Sequence, residues 1–133
     1  MKRRFPLVRR GLAWLSLFAL AACGDNGTKP VAGDLLVSYY QGGSEPGAML
    51  LTITGGPVEN VTAIAGQQVS FAAPYVGTTK VVLAGTFSTG DLLRLRVPDV
   101  TRFADYVVRV EQVADKTTFA LIDPAQYTFT VHR

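Results

Sequence analysis

The chain has 133 residues and a mass of 14.3 kDa, room for one small domain and a tail. Its 48 % apolar and 17 % charged content excludes a disordered acidic chain, and one Cys with one His excludes a disulfide framework or a four-ligand His/Cys zinc site. The formal charge of +3 comes from Lys2, Arg3, Arg4, Arg9 and Arg10; beyond Cys23 the acids outnumber the bases, which argues against a nucleic-acid partner.

Residues 1–22 divide into a basic start and an uncharged, mostly apolar run from Gly11 to Ala22. Twelve residues of helix rise about 18 Å, short of the roughly 30 Å hydrocarbon core, so the run predicts a cleaved export signal and not a spanning helix. Leu20-Ala21-Ala22-Cys23 closes it. This resembles the lipobox of bacterial lipoproteins. The resemblance implies cleavage before Cys23, lipid attachment to its thiol, and a membrane-anchored protein of the cell envelope. Gly24, in the second mature position, lacks the Asp that retains such proteins at the inner membrane, so the outer membrane is the default in a Gram-negative host.

Residues 23–32 are polar and rich in Gly and Pro, the composition of a flexible tether. Asp25-Asn26-Gly27 lacks the spaced oxygen ligands and closing Glu of an EF-hand. Residues 33–133 then alternate short apolar runs with turn residues every eight to twelve positions. The predicted strands are Leu35–Tyr40, Met49–Thr54, Val58–Ala63, Gln68–Ala72, Lys80–Thr86, Leu92–Val97, Tyr106–Val113, Thr118–Ile122 and Tyr127–His132. Leu93, Leu95 and Val97 share one face and Arg94 and Arg96 the other; Tyr106, Val108 and Val110 oppose Arg109 and Glu111. Tyr127, Phe129 and Val131 oppose Thr128, Thr130 and His132. Pro98-Asp99 and Asp123-Pro124 end strands and open short helical turns. The fold class is all-β: a single antiparallel two-sheet β-sandwich of about nine strands.

The opening Gly33-Asp34-Leu35-Leu36-Val37, the amphipathic Met49–Ile53 and the late Ser88-Thr89-Gly90-Asp91 turn running into Val97 resemble the layout of cohesin-like β-sandwich domains of bacterial extracellular proteins. The likeness lies in strand order and turn placement, and no binding residue is carried across. An immunoglobulin-like sandwich accounts for the same pattern.

Chemistry is sparse. His132 is predicted to be an exposed terminal histidine, since none of Ser38, Ser44, Ser70 and Ser88 stands in a Gly-x-Ser-x-Gly elbow. Gly77-Thr78-Thr79-Lys80 lacks the frame of a phosphate loop and reads as a turn. Asp91, Asp99, Asp105, Asp115 and Asp123 fall at turns or strand ends, where Asp bonds local amides. Their convergence on a calcium ion or on a hydrolytic pair is not visible in spacing. No cofactor is expected, calcium being the one metal such oxygens suit.

Arg94, Arg96 and Arg109 form a basic cluster if their strands pair, serving an anionic envelope polymer or, more plainly, a solvated face paired with Glu111 and nearby Asp residues. Of Tyr39 and Tyr40, adjacent on a strand, one faces outward; with Tyr75 it offers an aromatic contact for a sugar or peptide. The reading is a lipid-anchored, non-catalytic binding module for an envelope protein or glycan. The alternatives are an accessory envelope lipoprotein without a discrete ligand and a small carboxylate-dependent hydrolase.

Overall fold

Apolar and polar residues alternating with a period of two turn successive side chains to opposite faces of a strand, and each strand must then bury its apolar face. The fold is a computed structural model that describes residues 27–133. The leader at residues 1–22 and Cys23 lie outside the described residues. The strands are β1 (Gly33–Gln41), β2 (Pro46–Thr54), β3 (Asn60–Ala63), β4 (Gln68–Tyr75), β5 (Thr78–Ala84), β6 (Gly90–Val97), β7 (Val107–Asp115), β8 (Leu121–Ile122) and β9 (Tyr127–His132). They form a four-stranded sheet in the order β3-β6-β1-β9 and a five-stranded sheet in the order β4-β5-β2-β7-β8. Every pairing is antiparallel, and the two sheets make a β-sandwich. Among the described residues no helix is long and apolar enough to cross a membrane.

The core is the sum of the inward faces. Leu35, Val37 and Tyr39 of β1 and Leu93, Leu95 and Val97 of β6 meet Met49, Leu51 and Ile53 of β2 and Val81 and Leu83 of β5, all buried. Each such side chain contributes about 1.5–3 kcal/mol of burial, offsetting the entropy of ordering a small domain without disulfides.

Strand ends depart from the sequence reading for local reasons. β8 is two residues and not five, because the Asp115 carboxylate accepts from the amides of Thr117 and Thr118 (both 2.8 Å) and bends the chain into a turn. β4 runs past Pro74, which the ladder tolerates because β4 is an edge strand with a register shift between Ala72 and Tyr75. The helical turns are 3-10 turns at Val100–Asp105 and Pro124–Gln126, capped by the side chains of Asp99 and Asp123.

The last stretch before the sandwich is attached to it. The Val31 amide donates to Asp99 Oδ1 (3.3 Å), and the Val31 carbonyl accepts from the Val100 amide (2.8 Å). The chain therefore enters at the end that carries the Val100–Asp105 turn, called here the tether end.

Candidate functional site

β1 lies between β6 and β9, so an outward side chain on β1 has neighbours on both sides. Ser38 sits opposite Asp91 on β6 and Thr130 on β9, and Leu36 opposite Arg94 and His132. This register joins three residues far apart in the chain. Ser38 Oγ donates to Asp91 Oδ1 (2.6 Å) and lies 2.8 Å from His132 Nε2, which is 2.9 Å from Asp91 Oδ1.

A bulge makes the arrangement. Asp91 stands two residues before the inward Leu93, so simple alternation would turn its carboxylate into the core. The β1–β6 register instead passes from Val37↔Leu93 to Ser38↔Asp91, leaving Leu92 as an extra residue. Leu92 and Leu93 both turn inward, and Asp91 emerges beside Ser38. The sign of this was present in the consecutive Leu92-Leu93 after Gly90-Asp91, a break in period two.

The ion pair holds the charged forms of both partners. Hydrogen bonds from Ser38 and then His132 lower the Asp91 pKa, while Asp91 and the Arg133 carbonyl raise that of His132. Both side chains are well exposed to solvent. The geometry departs from a Ser-His-Asp relay. A relay sets hydroxyl and carboxylate on different ring nitrogens. Here both meet Nε2, Nδ1 faces the Arg133 carbonyl (3.3 Å), and the Ser38 proton points to the carboxylate. The cluster is a fixed, charged patch on a rigid sheet. His132 is exposed near the chain's end, as expected from the sequence, and is in addition a bonded member of a network.

The remaining residues of this face extend the patch. Tyr39 points into the core at 1 % exposure and Tyr40 outward at 62 %, opposite Thr128. Burial, with Tyr127 and Glu45 nearby, drives the Tyr39 pKa upward. Arg94 lies exposed between Leu36 and Thr62, and Arg96 between Asp34 and Asn60, its guanidinium 3.4 Å from the Asp34 carboxylate.

The expected basic cluster does not form. β6 and β7 belong to different sheets, so Arg109 stands on the outer face of the five-stranded sheet, opposite Thr52. Glu111 pairs with none of the three arginines; it takes Lys80 and the Thr52 hydroxyl, whose hydrogen bonds lower its pKa, Lys80 contributing most. Tyr75 is exposed at the β4–β5 hairpin, away from Tyr40.

The turn carboxylates have separate local tasks. Asp99 caps Thr101, whose hydroxyl contributes most to its lowered pKa, Asp105 pairs with Arg102 (2.7 Å), and Asp123 caps Ala125. Asp99 and Asp105 lie at the tether end, Asp115 at the end of β7 and Asp123 just after β8. Among the described residues no three His, Cys, Asp or Glu side chains gather as a metal site.

Comparison of the chain with protein-family models, with curated proteins and with solved structures returns no significant match.

Proposed function

We propose that this chain is a lipid-anchored, non-catalytic binding module of the bacterial cell envelope, exported by residues 1–22 and held by lipid on Cys23. The outer face of its four-stranded sheet engages an envelope protein or glycan. One observation carries this reading. Tyr40, Arg94 and the Ser38–Asp91–His132 network project to one face from adjacent hydrogen-bonded strands, so the backbone positions of all five residues, and the side chains of the network, are set before a partner arrives. An exposed aromatic ring offers a stacking surface, and a cation beside a fixed ion pair offers directional hydrogen bonds. Groups held by a sheet lose little entropy on binding.

A second reading, an accessory envelope lipoprotein without a discrete ligand, draws on the other sheet. Ala48, Leu50, Val82, Ala114 and Leu121 form a shallow apolar groove on its outer face, suited to packing against an assembly.

The test is capture from solubilised host envelope by the mature chain, beside a Tyr40→Ser/Arg94→Ser variant, with and without calcium. The binding reading expects one protein or glycan that the free chain competes and the variant loses. Enrichment that the variant keeps and Leu121→Glu abolishes favours the accessory role. Enrichment only with calcium makes the ion a bridge between chain and partner, since among the described residues the turn carboxylates do not gather into a site of their own.

A further inference from the structure

We infer that the sandwich stands end-on to the phospholipid bilayer, tether end down, with the Val76 tip of the β4–β5 hairpin inserted in the lipid interface. The inference rests on the lipid anchor proposed above and adds how the anchored domain is oriented.

The chain's own length limits the distance. Seven residues separate Cys23 from Val31, and the eight steps of chain between them, fully extended, reach at most about 28 Å. Val31 is fastened to Asp99 and Val100, so slack does not extend past that point. The nine residues of β1 rise about 30 Å, which sets the far end of the sandwich a domain length beyond the attachment.

The register brings the hairpin to the same end. Thr78 at the start of β5 lies opposite Thr54 at the end of β2, and Thr54 opposite Val107 at the start of β7. Gly55, next to Thr54, lies directly against the carbonyl of Asp105, the last residue of the 3-10 turn that opens with Val100. The Val76 tip, the turn and the fastened Val31 thus lie at one end of the molecule.

The side chains suit lipid. Tyr75 pairs with Thr78, leaving Val76-Gly77 as a two-residue reversal, with Gly77 at a φ of +73°. Val76 is not in the positive-φ region, so this reversal requires glycine only in its second place and leaves the first open to a side chain chosen for other reasons. Val76 is fully exposed, and Tyr75 is 76 % exposed beside it. An apolar tip flanked by a tyrosine matches the chemistry of the membrane–water boundary, where tyrosine places its ring in the headgroup layer. Val31 and Val107 are half-exposed at the same end. Arg102 and Asp105 neutralise one another at this end, so the contact made by the tip is apolar and weakly dependent on salt.

The lone tryptophan, Trp14, falls in the leader, so Val107→Trp supplies a single reporter at the tether end of the mature chain and Phe119→Trp one in the turn after β7. Each lipidated protein is reconstituted in phosphatidylethanolamine/phosphatidylglycerol vesicles carrying a shallow spin-labelled phospholipid. Far-UV circular dichroism verifies the fold, and mass spectrometry of the Cys23 peptide verifies lipidation. The inference expects the fluorescence of the Val107→Trp protein to be quenched about twofold more than that of the Phe119→Trp protein, and Val76→Asp to remove most of that difference. Lipidated protein in which the two reporters are quenched equally, or in which Val76→Asp changes nothing, overturns the orientation and leaves the anchor standing. An unmodified Cys23 overturns the anchor and the orientation together.

Discussion

Tyr39 and Tyr40 are adjacent and chemically identical, yet the sandwich uses them oppositely, which makes them a test of what holds the fold. Tyr39 is 1 % exposed, its ring 5.4 Å from Phe129, 6.1 Å from Phe87 and 6.2 Å from Tyr127. Tyr39→Ala removes a large buried ring and leaves a cavity that rigid strands close poorly, a loss of about 4 kcal/mol. For a domain of this size that lowers Tm by about 15–30 °C and takes a large share of a total near 5–15 kcal/mol. Tyr39→Phe removes only the hydroxyl, whose bond to Gln41 Oε1 is long at 3.3 Å, and costs about 0.5 kcal/mol. Tyr40→Ala, on the solvent face, costs less than about 0.5 kcal/mol. Urea unfolding followed by far-UV circular dichroism, with m-values compared, measures all three. Equal losses for Tyr39→Ala and Tyr40→Ala would refute the assignment of faces, and a loss above about 1.5 kcal/mol for Tyr39→Phe would refute the primacy of burial over the hydroxyl.

Asp91→Asn is expected to lower the His132 pKa toward the ordinary value of about 6.5, read from the imidazole protons by NMR titration; an unchanged value would refute the pair. The sign follows from linkage: the raised His132 pKa contributes stability below its unfolded value and loses it as pH rises through the folded pKa. The lowered Asp91 pKa contributes above the usual carboxylate range and loses it as pH falls through the folded pKa, so the pair works in the mildly acidic window between them. Deleting Leu92 removes the bulge, leaves Asp91 opposite Ser38 in a regular ladder and loses a buried leucine, costing about 3 kcal/mol while the His132 pKa stays raised; a His132 pKa back at its ordinary value would show that the bulge itself positions Asp91. Gly55→Ala meets a φ of +109° and overlap with the Asp105 carbonyl, whereas Gly66→Ala, at +83°, meets open space. Thermal unfolding should find the first costing more than about 2 kcal/mol and the second about 1; equal losses would rule out the close approach.

Much of the architecture was legible because it rests on local chemistry. Period-two alternation in Leu93-Arg94-Leu95-Arg96-Val97 and in Tyr127–His132 specifies a strand and its buried face without reference to any neighbour. Asp99 and Asp123 announce the 3-10 turns they cap, since an Asp side chain reaches an amide two residues on. The same locality explains the nine strands and the in-out division of Tyr39 and Tyr40, although which of the two faces inward depends on where the strand meets the other sheet. Where β4 stops and β8 starts was harder to read, because an edge position excuses Pro74 and an Asp115 turn delays the return strand.

The surface chemistry was decided by pairing. Alternation says that Arg94, Arg96 and Arg109 all face solvent but does not assign their strands to a sheet, and the topology separates Arg109 from the other two. Ser38, Asp91 and His132 are drawn together by a register that spans almost the whole domain, and the bulge that takes up Leu92 in β6 keeps Asp91 in solvent beside Ser38. A strand's own sequence encodes its two faces because neighbouring side chains must alternate. Its neighbours are chosen by the free energy of closing two whole sheets on a shared core, and no short segment contains that quantity.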